Sequence, residues 1–84
     1  MLGGFQTAFI PIPKPCFLDT QDYLHHKNGQ KLWRSPDKDR YFTWDGLHGE
    51  IEVFNARGHH LGSIDAVHGR KLKDAVPGRT IDVN

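Results

Sequence analysis

From residue 40 onward, apolar and polar positions alternate with the period of two that marks half-buried strands. Arg40-Tyr41-Phe42-Thr43-Trp44 is aromatic and β-favouring, and Asp45-Gly46 supplies a hairpin-type turn. Residues 48–54 form the next strand, with Ile51 and Val53 facing one way and His48, Glu50, Glu52 and Phe54 the other. Asn55-Ala56-Arg57-Gly58 predicts a second turn, residues 60–65 a third strand, and Val67-His68-Gly69 a third turn. Residues 70–73 suit a short fourth strand. Pro77-Gly78 then turns the chain into a last stretch in which Ile81 and Val83 alternate.

The first thirty residues read differently. Pro11, Pro13 and Pro15, with Ile10 and Ile12 between them, exclude a helix and favour an extended polyproline conformation. Asp19 or Thr20 can cap a short helix through Tyr23 and Leu24, closed by Asn28-Gly29. No internal repeat is visible. The expected fold is α+β, mostly β: a strongly twisted antiparallel sheet with an N-terminal extended arm and short helix. One domain spans residues 1–84, with the arm and helix in 1–30 and the sheet in 31–84. One sheet face is core and the other is open to a ligand.

A chain of 84 residues has a thin core, to which two Trp, two Tyr and five Phe contribute the large pieces. Trp33 and Trp44 read as core. No apolar run approaches the length of a membrane span, so no membrane anchor is expected. Met1-Leu2-Gly3-Gly4 lacks the marks of a signal peptide. The single Cys16 has no disulfide partner within the chain and reads as a small apolar filler. The six histidines include the adjacent pairs His25-His26 and His59-His60, whose side chains diverge on a strand. With no ligand spacing for a tight metal site, neither metal nor cofactor is expected. His59, His60 and His68 read as turn and strand-end residues.

The formal charge of +1 excludes a general nucleic-acid-binding coat, but its distribution is uneven. In residues 27–40, Lys27, Lys31, Arg34, Lys38 and Arg40 outweigh Asp37 and Asp39. In residues 70–79, Arg70, Lys71, Lys73 and Arg79 outweigh Asp74. Between these basic flanks, Asp45, Glu50, Glu52 and Asp65 face only Arg57. Such a layout attracts a polyanion toward an acidic centre.

The chain has eight Asp but only two Glu, and both Glu share a predicted strand face with His48. Glu is a poor strand former, so the pair asks for a reason beyond a wet sheet face. A carboxylate, an imidazole and a guanidinium are the parts needed to cleave RNA without metal. The carboxylate takes the ribose 2′-hydroxyl proton, the imidazolium protonates the leaving 5′-oxygen, and the guanidinium holds the phosphate. A neighbouring carboxylate favours the protonated imidazole. DNA lacks the 2′-hydroxyl and escapes. On an ideal strand His48 lies about 7 Å from Glu50 and about 13 Å from Glu52 at Cα, so spacing nominates Glu50 as partner. Glu50, Phe54, Lys71 and Lys73 are the expected substrate contacts.

The run Trp44-Asp45-Gly46-Leu47-His48-Gly49-Glu50-Ile51-Glu52 resembles the W-D-x-x-H-G-E-x-E segment of the cytotoxic ribonuclease domain of the rRNA-cleaving E-group colicins and cloacin. Gly58-His59-His60-Leu61-Gly62-Ser63-Ile64-Asp65 is similar to that family's G-x-H-L-G-S-F-D, and the likeness extends over roughly residues 31–81. The resemblance implies Glu52 as general base, His48 as general acid, Asp45 as its orienting partner and Arg79 as phosphate ligand. It reverses the preference for Glu50. Phe54 stands where the family has tyrosine, and the family domain is more basic. The implied target is the decoding site of small-subunit ribosomal RNA, cut in the cytoplasm of a target bacterial cell by a secreted or delivered toxin. The implied partner is a cognate, acidic immunity protein. A non-catalytic RNA- or protein-binding sheet of the same fold is the competing reading, although binding alone needs no acid–base pair.

Overall fold

The structure, a computed structural model, describes residues 9–84; the Met1-Leu2-Gly3-Gly4 start lies outside them. Six strands follow one another: β1 (Asp22–Lys27), β2 (Gln30–Arg34), β3 (Arg40–Asp45), β4 (Glu50–Asn55), β5 (His60–Asp65) and β6 (Lys71–Asp74). Each lies antiparallel to the one before, in the order β1-β2-β3-β4-β5-β6. β3 and β5 fall where the alternation puts them. β4 begins at Glu50, which leaves His48 in the β3–β4 turn instead of on a strand.

The expected short helix is corrected to a strand hairpin. Asn28 and Gly29 both have positive φ, 50° and 77°, as a two-residue hairpin loop requires, and Lys27 pairs with Gln30 across it. Asn-Gly therefore closes β1 onto β2; it does not end a helix. The capping signal is real but brief. Cys16 and Asp19 form a reciprocal cap on a 3₁₀ turn, Phe17–Thr20, and the chain enters β1 two residues later. Among the described residues there is no α-helix, so the α component of the expected fold is absent. The sheet starts at residue 22 rather than 31.

Apolar side chains collect on both faces. On one, Trp33, Phe42 and Ile51 pack under Cys16 and Leu18, with Phe17 edge-on to Phe42 at 5.3 Å. Cys16 is thus a buried filler, and its sulfur also accepts the Leu18 N–H. On the other face, Leu32, Tyr41 and Phe54 are covered by Leu24, Ile81 and Val83. Phe54 is only 2% exposed, which corrects its expected place on a ligand-facing surface. Burying such a ring contributes about 1.5–3 kcal/mol, and the returning chain end supplies the cover. That end joins the sheet through one isolated bridge, His59 to Thr80. Beyond this cover the same face stays open, and there Thr43 pairs with Glu52 and Asp45 with Glu50.

Candidate active site

The β3–β4 turn is held by its own aspartate. Asp45 Oδ1 accepts the backbone N–H of Leu47 at 3.0 Å and of His48 at 3.2 Å. Its other oxygen lies 2.8 Å from His48 Nδ1. Partial burial opposes ionisation of Asp45, but hydrogen bonds from the His48 ring and backbone, the His48 charge and the Leu47 N–H prevail. Together they hold its carboxyl below the usual range. The His48 ring is about half exposed, and among the described residues its Nε2 has no protein partner.

On β4, Glu52 is mostly buried and accepts two hydrogen bonds on one oxygen. His60 Nε2 approaches Oε1 at 2.7 Å, and Arg79 Nη1 donates to the same atom at 3.1 Å. Oε2 has no hydrogen bond among the described residues. The buried His60 ring accepts the Val76 N–H on Nδ1 at 2.9 Å, which places the ring proton on Nε2, aimed at Glu52. The same residue's backbone N–H donates to the Arg79 carbonyl at 3.0 Å, and Arg79 N–H donates to the Val76 carbonyl. Glu52, His60, Val76 and Arg79 thus form a closed ring of hydrogen bonds. Gly58 allows the chain end to approach: its φ is +86°, Ile81 N–H donates to its carbonyl, and a Cβ there would stand 2.3 Å from the Ile81 oxygen.

An open cleft of about 860 Å³ is lined by Glu52, Arg79, Asp45 and Thr43, with Ile10 and Lys31 among its walls. Ile10 is fastened there, its N–H donating to Gly46 and its carbonyl accepting from Trp44 Nε1. Trp44 is partly buried against the core, and Trp33 lies within it.

Asp45, His48, Glu52 and Arg79 therefore gather at one end of one face. Glu50 lies beside them but pairs with Lys73 Nζ at 3.1 Å. Lys71 pairs with Asp74 on its own strand. Neither lysine stands free, as the expected substrate contacts assumed. Oxygens of Asp45, Glu50 and Glu52 come within 4.8 Å of one another, a spacing a divalent ion could bridge. Lys73, Arg79 and His60 already supply the compensating donors, and an ion would compete with them. His60, expected as a turn or strand-end residue, instead holds Glu52 within the site. Phe54 faces His60 across a register shift in β4–β5, so counting by twos along the strand does not reveal their shared side.

Residues 19–82 match the Cytotoxic family. The chain belongs to that family. Among curated Cytotoxic-family relatives, colicin E3 of Escherichia coli is 40% identical over 53 residues, covering 62% of this chain and 10% of its own length. Cloacin and colicin-E6, also of Escherichia coli, are each 38% identical over 50 residues, 58% of this chain and 9% of theirs. The chain thus spans about a tenth of these relatives. No helix among the described residues is long and apolar enough to cross a membrane.

Proposed function

We propose that this Cytotoxic-family chain is a metal-independent endoribonuclease toxin domain that cuts small-subunit ribosomal RNA at the decoding site. The observation that carries the reading is the paired arrangement at one cleft. A carboxylate with one free oxygen, Glu52 Oε2, shares the cleft with Asp45, and Asp45 orients an imidazole in the adjoining turn whose Nε2 is also free. An acid and a base at one end of the sheet, each steered by a second side chain, suit two coupled proton transfers.

Glu52 Oε2 removes the proton from the ribose 2′-hydroxyl. The 2′-oxygen bonds to the adjacent phosphorus, the bond from phosphorus to the 5′-oxygen breaks, and His48 Nε2–H protonates the departing oxygen. Asp45 accepts from His48 Nδ1–H and keeps Nε2 turned outward. Arg79 has five N–H donors and uses only one on Glu52, so the remainder serve the phosphate as its charge builds. The products are a 2′,3′-cyclic phosphate and a 5′-hydroxyl.

The producing cell then requires an inhibitor. An acidic immunity protein that faces Lys31, Arg70 and Arg79 fits the charge layout.

Primer extension on rRNA from treated ribosomes, with mass spectrometry of a cleaved oligonucleotide, tests the proposal. A single decoding-site stop and a cyclic phosphate are expected, undiminished by saturating chelator. A 5′-phosphate product, or activity abolished by EDTA and restored by Mg²⁺ or Zn²⁺, refutes the mechanism.

A further inference from the structure

The turn that carries His48 is built twice. Asp45-Gly46-Leu47-His48-Gly49 joins β3 to β4, and Asp65-Ala66-Val67-His68-Gly69 joins β5 to β6. Both read Asp-x-x-His-Gly, an echo only five residues long. In the second copy Asp65 Oδ2 accepts the N–H groups of Val67 at 3.1 Å and His68 at 2.7 Å. Gly69 N–H returns to the Asp65 carbonyl at 3.1 Å, as Gly49 N–H does to Asp45 at 2.8 Å, and both glycines have φ of 70°. The copies differ at the ring. His48 Nδ1 is 2.8 Å from its aspartate, whereas His68 Nδ1 is 3.9 Å from Asp65 and the side chain is 66% exposed.

Shared turn chemistry explains the shared shape but assigns no role. Placement does. Asp45 pairs with Glu50 and Glu50 with Asp65, so the three carboxylates form one cross-strand row on the face that holds Glu52. Both histidine turns leave the same end of that face, about 10 Å apart at two strand spacings. His68 faces Asp65 of its own turn; Glu50, opposite Asp65 in the sheet, is paired with Lys73 of β6. Arg70 follows, with an exposed side chain that has no partner among the described residues. This turn therefore presents, at the sheet end it shares with the His48 turn, an exposed imidazole held only loosely by Asp65 and an exposed guanidinium.

The chemistry gives the substrate a direction. Glu52 acts on the 2′-hydroxyl of the nucleotide before the cut, and His48 acts on the 5′-oxygen of the nucleotide after it. Glu52 lies inside the sheet and His48 at its end. The RNA thus runs 5′ to 3′ from Glu52 toward the turn end, and nucleotides after the cut leave where His68 and Arg70 stand. We propose that His68 and Arg70 form a phosphate-binding subsite for the RNA segment on the 3′ side of the cleaved bond. This assignment rests on the ribonuclease reading above.

The test uses the full chain carrying Glu52→Gln and two labelled RNA oligonucleotides, one ending at the cleaved bond and one extended by three nucleotides beyond it. Affinity is measured against salt concentration at pH 6. His68→Ala should weaken the extended RNA about two- to five-fold, the scale of one exposed ion pair, and flatten its salt slope by about 0.7. Binding of the truncated RNA should be unchanged, and His68→Lys should restore the slope. Unchanged binding of the extended RNA by His68→Ala overturns the subsite. So does an equal loss on both RNAs with the circular dichroism spectrum unchanged, which removes His68 from any contact specific to the 3′ side. Wild-type chain assayed alongside separates the two ideas: the expected binding pattern without cleavage removes the proposed chemistry but keeps the subsite.

Discussion

His60 makes two side-chain hydrogen bonds that can be removed separately. Asparagine at this position can place an oxygen near the site of Nδ1, keeping the Val76 N–H satisfied while the donor to Glu52 disappears. Glutamine reaches as far as Nε2 and keeps a donor to Glu52, but leaves the Val76 N–H without an acceptor. The ring is 2% exposed at its side chain, so neither loss is made good by bulk water. A hydrogen bond to a charged group contributes about 1.5–3 kcal/mol, and a buried orphan N–H costs about 1–3 kcal/mol. Both variants should therefore melt lower, by roughly 4–8 °C per kcal/mol for a domain of this size. Their catalytic effects should part. His60→Asn leaves Glu52 held by Arg79 alone, and a base displaced by an ångström loses on the order of 10²-fold in single-turnover cleavage. His60→Gln should retain most of the rate at a temperature where it is folded. The assay pairs thermal denaturation with single-turnover cleavage of a short RNA. Equal rates for both variants, or an unimpaired His60→Asn, would show that His60 supports the fold without positioning the base.

Other outcomes follow from the same geometry. Glu52→Gln keeps an oxygen for His60 and Arg79 but cannot take a proton, so it should lose about 10²–10⁴ in rate with its circular dichroism spectrum unchanged; Glu50→Gln, which loosens only the Lys73 pair, should lose far less. Reversal of that order would return the role of base to Glu50. Arg79→Ala should depress turnover more than ribosome binding, and Arg79→Lys should recover only part, since lysine lacks the fork that grips phosphate twice. Equal turnover by wild type and Arg79→Ala would remove this residue from the site. Asp45 has a depressed pKa in the fold, so its stabilising effect is present above the ordinary value of 3.8 and lost as pH falls below it. Acid titration followed by fluorescence should show this loss in wild type and a flatter profile in Asp45→Asn; identical profiles would refute the assignment.

Local chemistry made much of the sheet readable. β3 and β5 lie where alternation and turn residues place them, because each strand pairs with its chain neighbour and needs little information from afar. β1 is not legible from its own residues because a helix cap and a hairpin draw on the same signals. Asn28-Gly29 serves either end, and only pairing with β2 decides between them. Spacing along a flat strand favoured Glu50 over Glu52 as partner for His48, but His48 is not on the strand. His60 and Phe54 were hidden by a register shift, and the burial of Phe54 depends on Ile81 and Val83, more than twenty residues away. What depends on distant closure does not show in local periodicity.

Every strand pairing in the sheet joins chain neighbours, whereas the walls of the cleft do not. Ile10 reaches Gly46 and Trp44, and Arg79 reaches Glu52 across 27 positions. Loops between adjacent strands close at small entropic cost, so the sheet can assemble before either chain end is pinned. The order of assembly is therefore built into the topology: scaffold first, chemistry last. Amide exchange should find the Arg79 and Ile81 N–H groups opening more readily than those of β3 and β4. A chain released too early, or frayed at its tail, would keep its sheet and lose its cutting edge.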